Sequence, residues 1–103
     1  MDGLTILWTN TAKRQRDSIF EYWNNRNKSN LYSKKLNTLI YERTALLKTF
    51  PEMGKWTHFN ATRMISMGHY SILYQIKNSK IIITAFWDNR DDPQKLFNLL
   101  KNN

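Results

Sequence analysis

Residues 81–96, IIITAFWDNRDDPQKL, decide the fold. The run from Ile81 to Trp87 is apolar but for Thr84 and rich in Ile, the pattern of a strand covered on both faces and therefore central in a sheet. It stops abruptly at Asp88, Asn89 and Arg90. Asp92 then stands before Pro93, a helix N-cap followed by proline at the first helical position, where a missing N–H is harmless. Leu96, Phe97, Leu99 and Leu100 supply the apolar face of the short helix that opens there. A strand buried on both faces needs neighbours, and these are found upstream.

Working back from Ile81, Asn78-Ser79 reads as a hairpin turn. Before it Tyr70, Ile72, Tyr74 and Ile76 alternate with Ser71, Leu73, Gln75 and Lys77, the period-two pattern of a strand. Gly68 and His69 mark a second tight connection. Arg63, Ile65 and Met67 fall on one side of a further strand, with Met64 and Ser66 on the other. The period upstream is helical. Ala12, Ile19, Phe20 and Trp23 recur at three- and four-residue steps among charged residues, predicting an amphipathic helix of about four turns. The polar run NNRNKSN, residues 24–30, breaks that pattern. Ser29 or Asn30 can cap a second helix carrying Tyr32, Leu36, Leu39, Ile40, Leu46, Leu47 and Phe50, which Pro51 and Gly54 end. The short link between the two helices predicts an antiparallel hairpin. Leu4 to Trp8 reads as a short buried strand, with Thr9, Asn10 or Thr11 as the cap of the first helix. The order is β-α-α-β-β-β-α. It predicts an α+β fold, a small antiparallel sheet with an N-terminal two-helix hairpin packed on one face, in a single domain over residues 1–103.

The bulk composition narrows the chemistry. The chain has 103 residues, 16 Lys and Arg against 8 Asp and Glu, and a formal charge of +8. Such a surplus favours an anionic partner, whether nucleic acid, an acidic protein segment or a lipid surface. With no cysteine, a disulfide framework and a thiolate zinc site are excluded. The two histidines, His58 and His69, have no carboxylate at ligand spacing. Asp88, Asp91 and Asp92 enclose Arg90, and Asp92 is used as a cap, so neither a metal nor another cofactor is expected. No segment approaches the ~20 apolar residues that span a bilayer. A soluble cytoplasmic protein without membrane contact is the expectation.

The element order, length and charge resemble the RelE/ParE family of toxins from bacterial type II toxin–antitoxin modules. The resemblance covers nearly the whole chain. It is carried by a helix closing on Leu47-Lys48-Thr49-Phe50-Pro51-Glu52-Met53-Gly54, a strand opening at Arg63, the strand Tyr70-Ser71-Ile72-Leu73-Tyr74-Gln75-Ile76, and the ending Phe86-Trp87-Asp88-Asn89-Arg90-Asp91-Asp92-Pro93. It implies a cognate antitoxin as partner and a concave, basic sheet face opposite the helices. It also implies one of two activities, because one scaffold serves both. RelE-like toxins cleave messenger RNA on the ribosome, whereas ParE-like toxins act on DNA gyrase and cleave nothing themselves.

The residues favour the second. RNA cleavage needs a base for the ribose 2′-hydroxyl, an acid for the leaving oxygen and cations for the phosphorane. Arg63 and Arg90 match the family's basic positions, but Ser71 stands where cleaving relatives carry Arg. The last helix, LFNLLKNN, has neither Tyr nor His. His69 and Tyr70 are the available substitutes, so Arg63, His69, Tyr70 and Arg90 form the catalytic set if the protein is an mRNA interferase. For a target-binding patch the candidates are Lys55, Arg63 and Arg90, with Trp87 as a stacking surface. Arg90 has a second reading: it lies two residues from Asp88, on the same side of an extended chain, and can pair with it. Lys13, Arg14 and Arg16 sit in the first turn of the first helix, where cations oppose the macrodipole, so an acidic antitoxin segment is their candidate partner. A basic nucleic-acid-binding domain without toxicity remains the third reading.

Overall fold

The computed structural model describes residues 4–101. Its elements are β1 (Thr5–Trp8), α1 (Asn10–Asn27), α2 (Leu31–Thr49), β2 (Lys55–Trp56), β3 (Arg63–Met67), β4 (Tyr70–Lys77), β5 (Lys80–Asp88) and α3 (Pro93–Lys101). The strands make one five-stranded sheet in the order β1-β5-β4-β3-β2. β3, β4 and β5 form the antiparallel meander read from their alternation. β5 is interior, as its apolar run requires. Its second neighbour is β1, which pairs with it in parallel, Thr5 beside Lys80 and Trp8 beside Ile83. The sheet is thus mixed. A parallel neighbour needs a long connection, and the chain between them, through the helical hairpin and then β2, β3 and β4, supplies it. β2 adds two residues at the other edge, opposite Arg63 and Met64, a pairing too short to leave a period in the sequence.

The turns follow their chemistry. Asn78 and Ser79 both have positive φ, 52° and 61°, the geometry of a two-residue turn whose twist matches the strands. Gly68 takes φ +76° at the first position of the β3–β4 turn, where a side chain would be strained. Thr9 is the cap of α1, its hydroxyl accepting from the Ala12 N–H at 3.1 Å. Asp92 caps α3 by accepting from the Gln94 N–H at 3.0 Å. The polar run that seemed to end the first helix instead continues it to Asn27, with Lys28 in the left-handed conformation at the C-cap. There the side chains hold the hairpin together: Ser33 Oγ donates to Asn24 Oδ1 at 2.7 Å.

Two layers cover the sheet. Towards the hairpin, Ile65, Met67, Tyr70, Ile72, Tyr74, Ile81, Ile83 and Phe86 pack with Ala12, Leu36, Ile40 and Leu47. On the far face, Leu73 and Ala85 pack with Leu96 of α3, joined by Phe59, Met64, Trp87 and Leu100. The expected open, basic concavity is not what this face presents, because α3 and the loop around Phe59 lie over it. A bulge assigns residues of β5 to these layers. Leu73 faces Ala85 while Tyr74 faces Ile83, so Thr84 has no partner on β4. The extra residue reverses the alternation beyond it. Ile83 and Phe86 therefore share the hairpin face, and Asp88 turns to that side with Phe86.

Candidate functional site

The bulge delivers Phe86 and Asp88 to the end of the sheet where α1 crosses it. Asp88 pairs in register with Tyr70, the first residue of β4. The chain then turns, and Arg90 folds back on the carboxylate. Its Nε donates to Asp88 Oδ1 and its Nη2 to Oδ2, both at 2.9 Å, and its backbone N–H adds a third bond to Oδ1 at 2.9 Å. The hydrogen bond from Arg90 holds the Asp88 carboxyl below the usual carboxylate range. The same bond pushes the Arg90 guanidinium above its ordinary value. Asn89 points the other way and accepts from Ser71 Oγ at 2.6 Å.

Tyr70 is the floor of the site, 2% exposed. It stacks on Phe86 with ring centroids 5.4 Å apart at 14°, and its hydroxyl accepts from Trp23 Nε1 at 2.8 Å. Burial is the main cause that pushes its phenol above the ordinary value. Trp23 lies edge-on to Tyr22 at 5.1 Å. Arg26 donates to the Tyr22 hydroxyl at 3.2 Å and lies 5.7 Å over the Trp23 ring. Gln15 reaches in from α1. Its Oε1 accepts from the Phe86 N–H at 2.9 Å, which orients the amide, and the buried Nε2 finds no acceptor among the described residues. With Ser18, Ile19 and Asp91 these side chains enclose a cleft of about 600 Å³ between α1 and the end of β5.

A different cluster lies beside the middle of β4, around Tyr74. Arg63 Nη1 donates to the carbonyls of Glu52 and Gly54 at 3.0 and 2.9 Å, and its guanidinium carbon stands 4.0 Å over the Trp56 ring. Tyr74 completes the clamp: its hydroxyl donates to the Pro51 carbonyl at 2.7 Å and accepts from the Gly54 N–H at 2.9 Å. Burial raises its phenol too. The loop so held displays Phe50, 59% exposed, Met53, and Trp56, 66% exposed, with Lys55 beside them.

The residues singled out in the sequence therefore separate into two groups. Lys55 and Arg63 lie with the 50–56 loop, opposite Tyr74. His69, Tyr70, Trp87 and Arg90 lie at the start of β4, with Tyr70 four residues or about 13 Å along the strand from Tyr74. Of these, His69 is exposed in the turn, and Trp87 packs mainly against the α3 layer while bordering the cleft. On α1, Lys13 and Arg14 are exposed, whereas Arg16 lies 4.8 Å over Trp8 and pairs with Asp17 at 3.1 Å. Gln15, Tyr22, Trp23 and Arg26 complete the cleft without having been foreseen. Trp23 was legible as a core position, and its indole N–H was the available signal, since a buried indole needs an acceptor. Gln15 carried no signal. Among the described residues no three His, Cys, Asp or Glu side chains come together as a metal site, and no helix is long and apolar enough to cross a membrane.

The chain is a small α+β domain with a helical hairpin on one sheet face and an aromatic cleft beside the first helix. Over residues 6–93 the chain matches the model for the ParE toxin of the type II toxin–antitoxin system, parDE, and it belongs to that family. Among solved structures, it is similar to the chromosomal ParDE toxin–antitoxin system from P. aeruginosa, with a TM-score of 0.71, 17% identity, and coverage of 82% of this chain and 95% of that one. It is also similar to the RelBE2 toxin–antitoxin complex from Mycobacterium tuberculosis, with a TM-score of 0.62, 20% identity, and coverage of 84% and 99%. At these identities the two structures speak for the fold. No curated protein sequence matches the chain.

Proposed function

We propose that the protein is a growth-inhibiting toxin of the ParE-like branch, acting in the cytoplasm on DNA gyrase without cleaving RNA, and neutralised by a cognate antitoxin. One observation carries the choice of branch: of the four side chains a ribonuclease would use, Arg63 lies apart from His69, Tyr70 and Arg90, and Arg63, Tyr70 and Arg90 are each engaged locally. Arg63 is occupied with two backbone carbonyls beside Tyr74, in the middle of β4. Tyr70 is buried at the start of β4, with a phenol that burial makes harder to ionise, so it is a poor base near neutral pH. Arg90 is held by Asp88. A phosphorane needs its acid, base and cations within about 3 Å of the reacting atoms. Membership of the ParE toxin family supports the same branch.

The test is induction of the chain in growing cells, with DNA breaks, the SOS response and ribosome-associated message followed from the first minutes. The expected result is DNA damage signalling before any message is cut, with growth restored by co-expression of the antitoxin. Early cleavage of messages at ribosomes returns the assignment to an mRNA interferase built on His69, Tyr70 and Arg90. Normal growth returns it to a nucleic-acid-binding domain.

A further inference from the structure

We propose that a second cleft, on the far face of the sheet beneath α3, binds a small aromatic anion. This goes beyond the toxin reading and does not depend on it. The floor of the cleft is set by the bulge. Ile83 and Phe86 share the hairpin face, so the two residues between them belong to the other side: Ala85 packs beneath Leu96, and Thr84, without a partner on β4, lines the cleft with Ile82 and Gln75. α3 leaves this ground uncovered. It rests on the sheet through Leu96 and Leu100, while Phe97, 47% exposed, meets Phe59 of the 57–62 loop with ring centroids 6.0 Å apart. The space left between them is about 530 Å³, within the ~300–1,000 Å³ of sites that enclose a small ligand.

Three features define the occupant. The wall is aromatic, and the Phe59 and Phe97 rings favour a flat ring that meets them in offset or edge contact. The second feature is a fixed polar bracket. Gln75 Nε2 donates to the Asn60 carbonyl at 3.1 Å and to Thr62 Oγ1 at 3.2 Å, and the carbonyl of buried Thr62 accepts from the N–H and the hydroxyl of Thr57, both at 3.0 Å. The loop wall is therefore in place before a ligand arrives, which removes the cost of ordering it. These bonds also orient the amide and leave Gln75 Oε1 without a donor among the described residues, an acceptor for a ring N–H. The third feature is charge. Among the described residues no Asp or Glu lines the cleft, whereas His58 and Lys101 do, and neither pairs with a carboxylate. One cation beside one imidazole suits a single carboxylate or phosphate. A nucleic-acid strand binds by neutralising several phosphates in a row, which calls for a longer basic track.

The inference is tested on the intact ¹⁵N-labelled chain by titration to millimolar concentration with indole-3-carboxylate. Parallel titrations use 1-methylindole-3-carboxylate, tryptamine, inorganic phosphate and adenosine 5′-monophosphate. The expected result is saturable movement of the Gln75 side-chain amide and of the Thr62 and Thr84 backbone amides by indole-3-carboxylate, while the Trp23 indole resonance, in the cleft beside α1, stays still. The methylated ring, tryptamine and phosphate should each bind at least ~10-fold more weakly, since they lack the ring donor, the negative head and the ring respectively. Tighter binding of the nucleotide at the same residues supports the inference and assigns a phosphate head; tighter binding of indole-3-carboxylate assigns a carboxylate. Phe97→Ala and Lys101→Glu, both at exposed positions on α3, should each weaken the preferred anion ~10-fold while circular dichroism reports an unchanged fold. If Phe97→Ala does not fold, Lys101→Glu decides. Anions that leave the three amides still, or that move Trp23 instead, overturn the inference. So does tryptamine binding as tightly as the carboxylate, or a folded Lys101→Glu chain that binds like the native one. The toxicity assay bears on the toxin reading alone, and its failure leaves this site untouched.

Discussion

Replacing Tyr74 by Phe should destabilise the protein by about 2–3 kcal/mol without altering its packing. The ring is fully buried, and Phe preserves it. What disappears is a hydroxyl that joins the end of α2 to the sheet, donating to the Pro51 carbonyl at 2.7 Å and accepting from the Gly54 N–H at 2.9 Å. Two net hydrogen bonds contribute ~2 kcal/mol. Gly54 is buried, so its N–H has no access to solvent once the hydroxyl is gone, which moves the cost towards the upper figure. For a domain of this length the loss corresponds to a fall in Tm of about 10–20 °C. Urea unfolding followed by far-ultraviolet circular dichroism should show a lower midpoint at unchanged slope. Arg63 holds the same residue from its carbonyl side, so Arg63→Met and Tyr74→Phe should couple by at least ~0.5 kcal/mol in a double-mutant cycle. A Tyr74→Phe protein within ~0.5 kcal/mol of the native one, or strict additivity with Arg63→Met, would refute the clamp.

Gly54→Ala attacks the same junction by volume: its Cβ would stand 2.6 Å from Tyr74 Oη and 2.8 Å from Cε1, and the buried ring has nowhere to retreat, so a loss of about 1–3 kcal/mol in urea unfolding is expected. The Asp88 carboxyl sits below its ordinary value, so its contribution is complete above the unfolded carboxylate range near pH ~4 and fades as the pH falls through the lower folded value. Asp88→Asn should flatten that acid limb, and Arg90→Ala should return the carboxyl towards its ordinary range in a ¹³C NMR titration, since the guanidinium is the leading cause of the shift. Tyr70 and Tyr74 are raised, so the unfolded phenols ionise first; stability is complete below pH ~10 and is lost as the pH rises through the folded values. Tyr70→Phe should reduce the alkaline slope in unfolding free energies measured between pH 9 and 11, and an undiminished slope would count against burial as the cause.

Features set by spacing along the chain were open to sequence reading. The alternation in residues 63–77 fixed which side chains face the helices, because the period of a strand is two whatever its neighbours are. The Asp92-Pro93 cap, the Asn78-Ser79 turn and the Asp88–Arg90 pair rest on contacts within a few residues, so the chain already contains both partners. The continuation of α1 through Asn27 was hidden because polar residues erase the amphipathic pattern without opposing the helix. Its end is fixed by hairpin contacts such as Ser33 to Asn24. The catalytic and target-binding candidates were legible by residue type alone. Cationic residues near the start of β3 and just after β5 look equivalent in a list, while the sheet register offsets them by at least four residues, about 13 Å, along the strand direction and gives each a local partner.

By itself the sequence determined a basic α+β domain, its turns and caps, and the two faces of its meander, since each of these depends on composition or on neighbours in the chain. Only the tertiary structure decided the parallel seat of β1, the bulge at Thr84, and the meeting of Gln15, Trp23 and Arg26 with Tyr70 and Phe86. Those depend on contacts between residues dozens of positions apart, such as Gln15 with Phe86. Hydrophobic period records that a side chain is buried, but not which partner it is buried against.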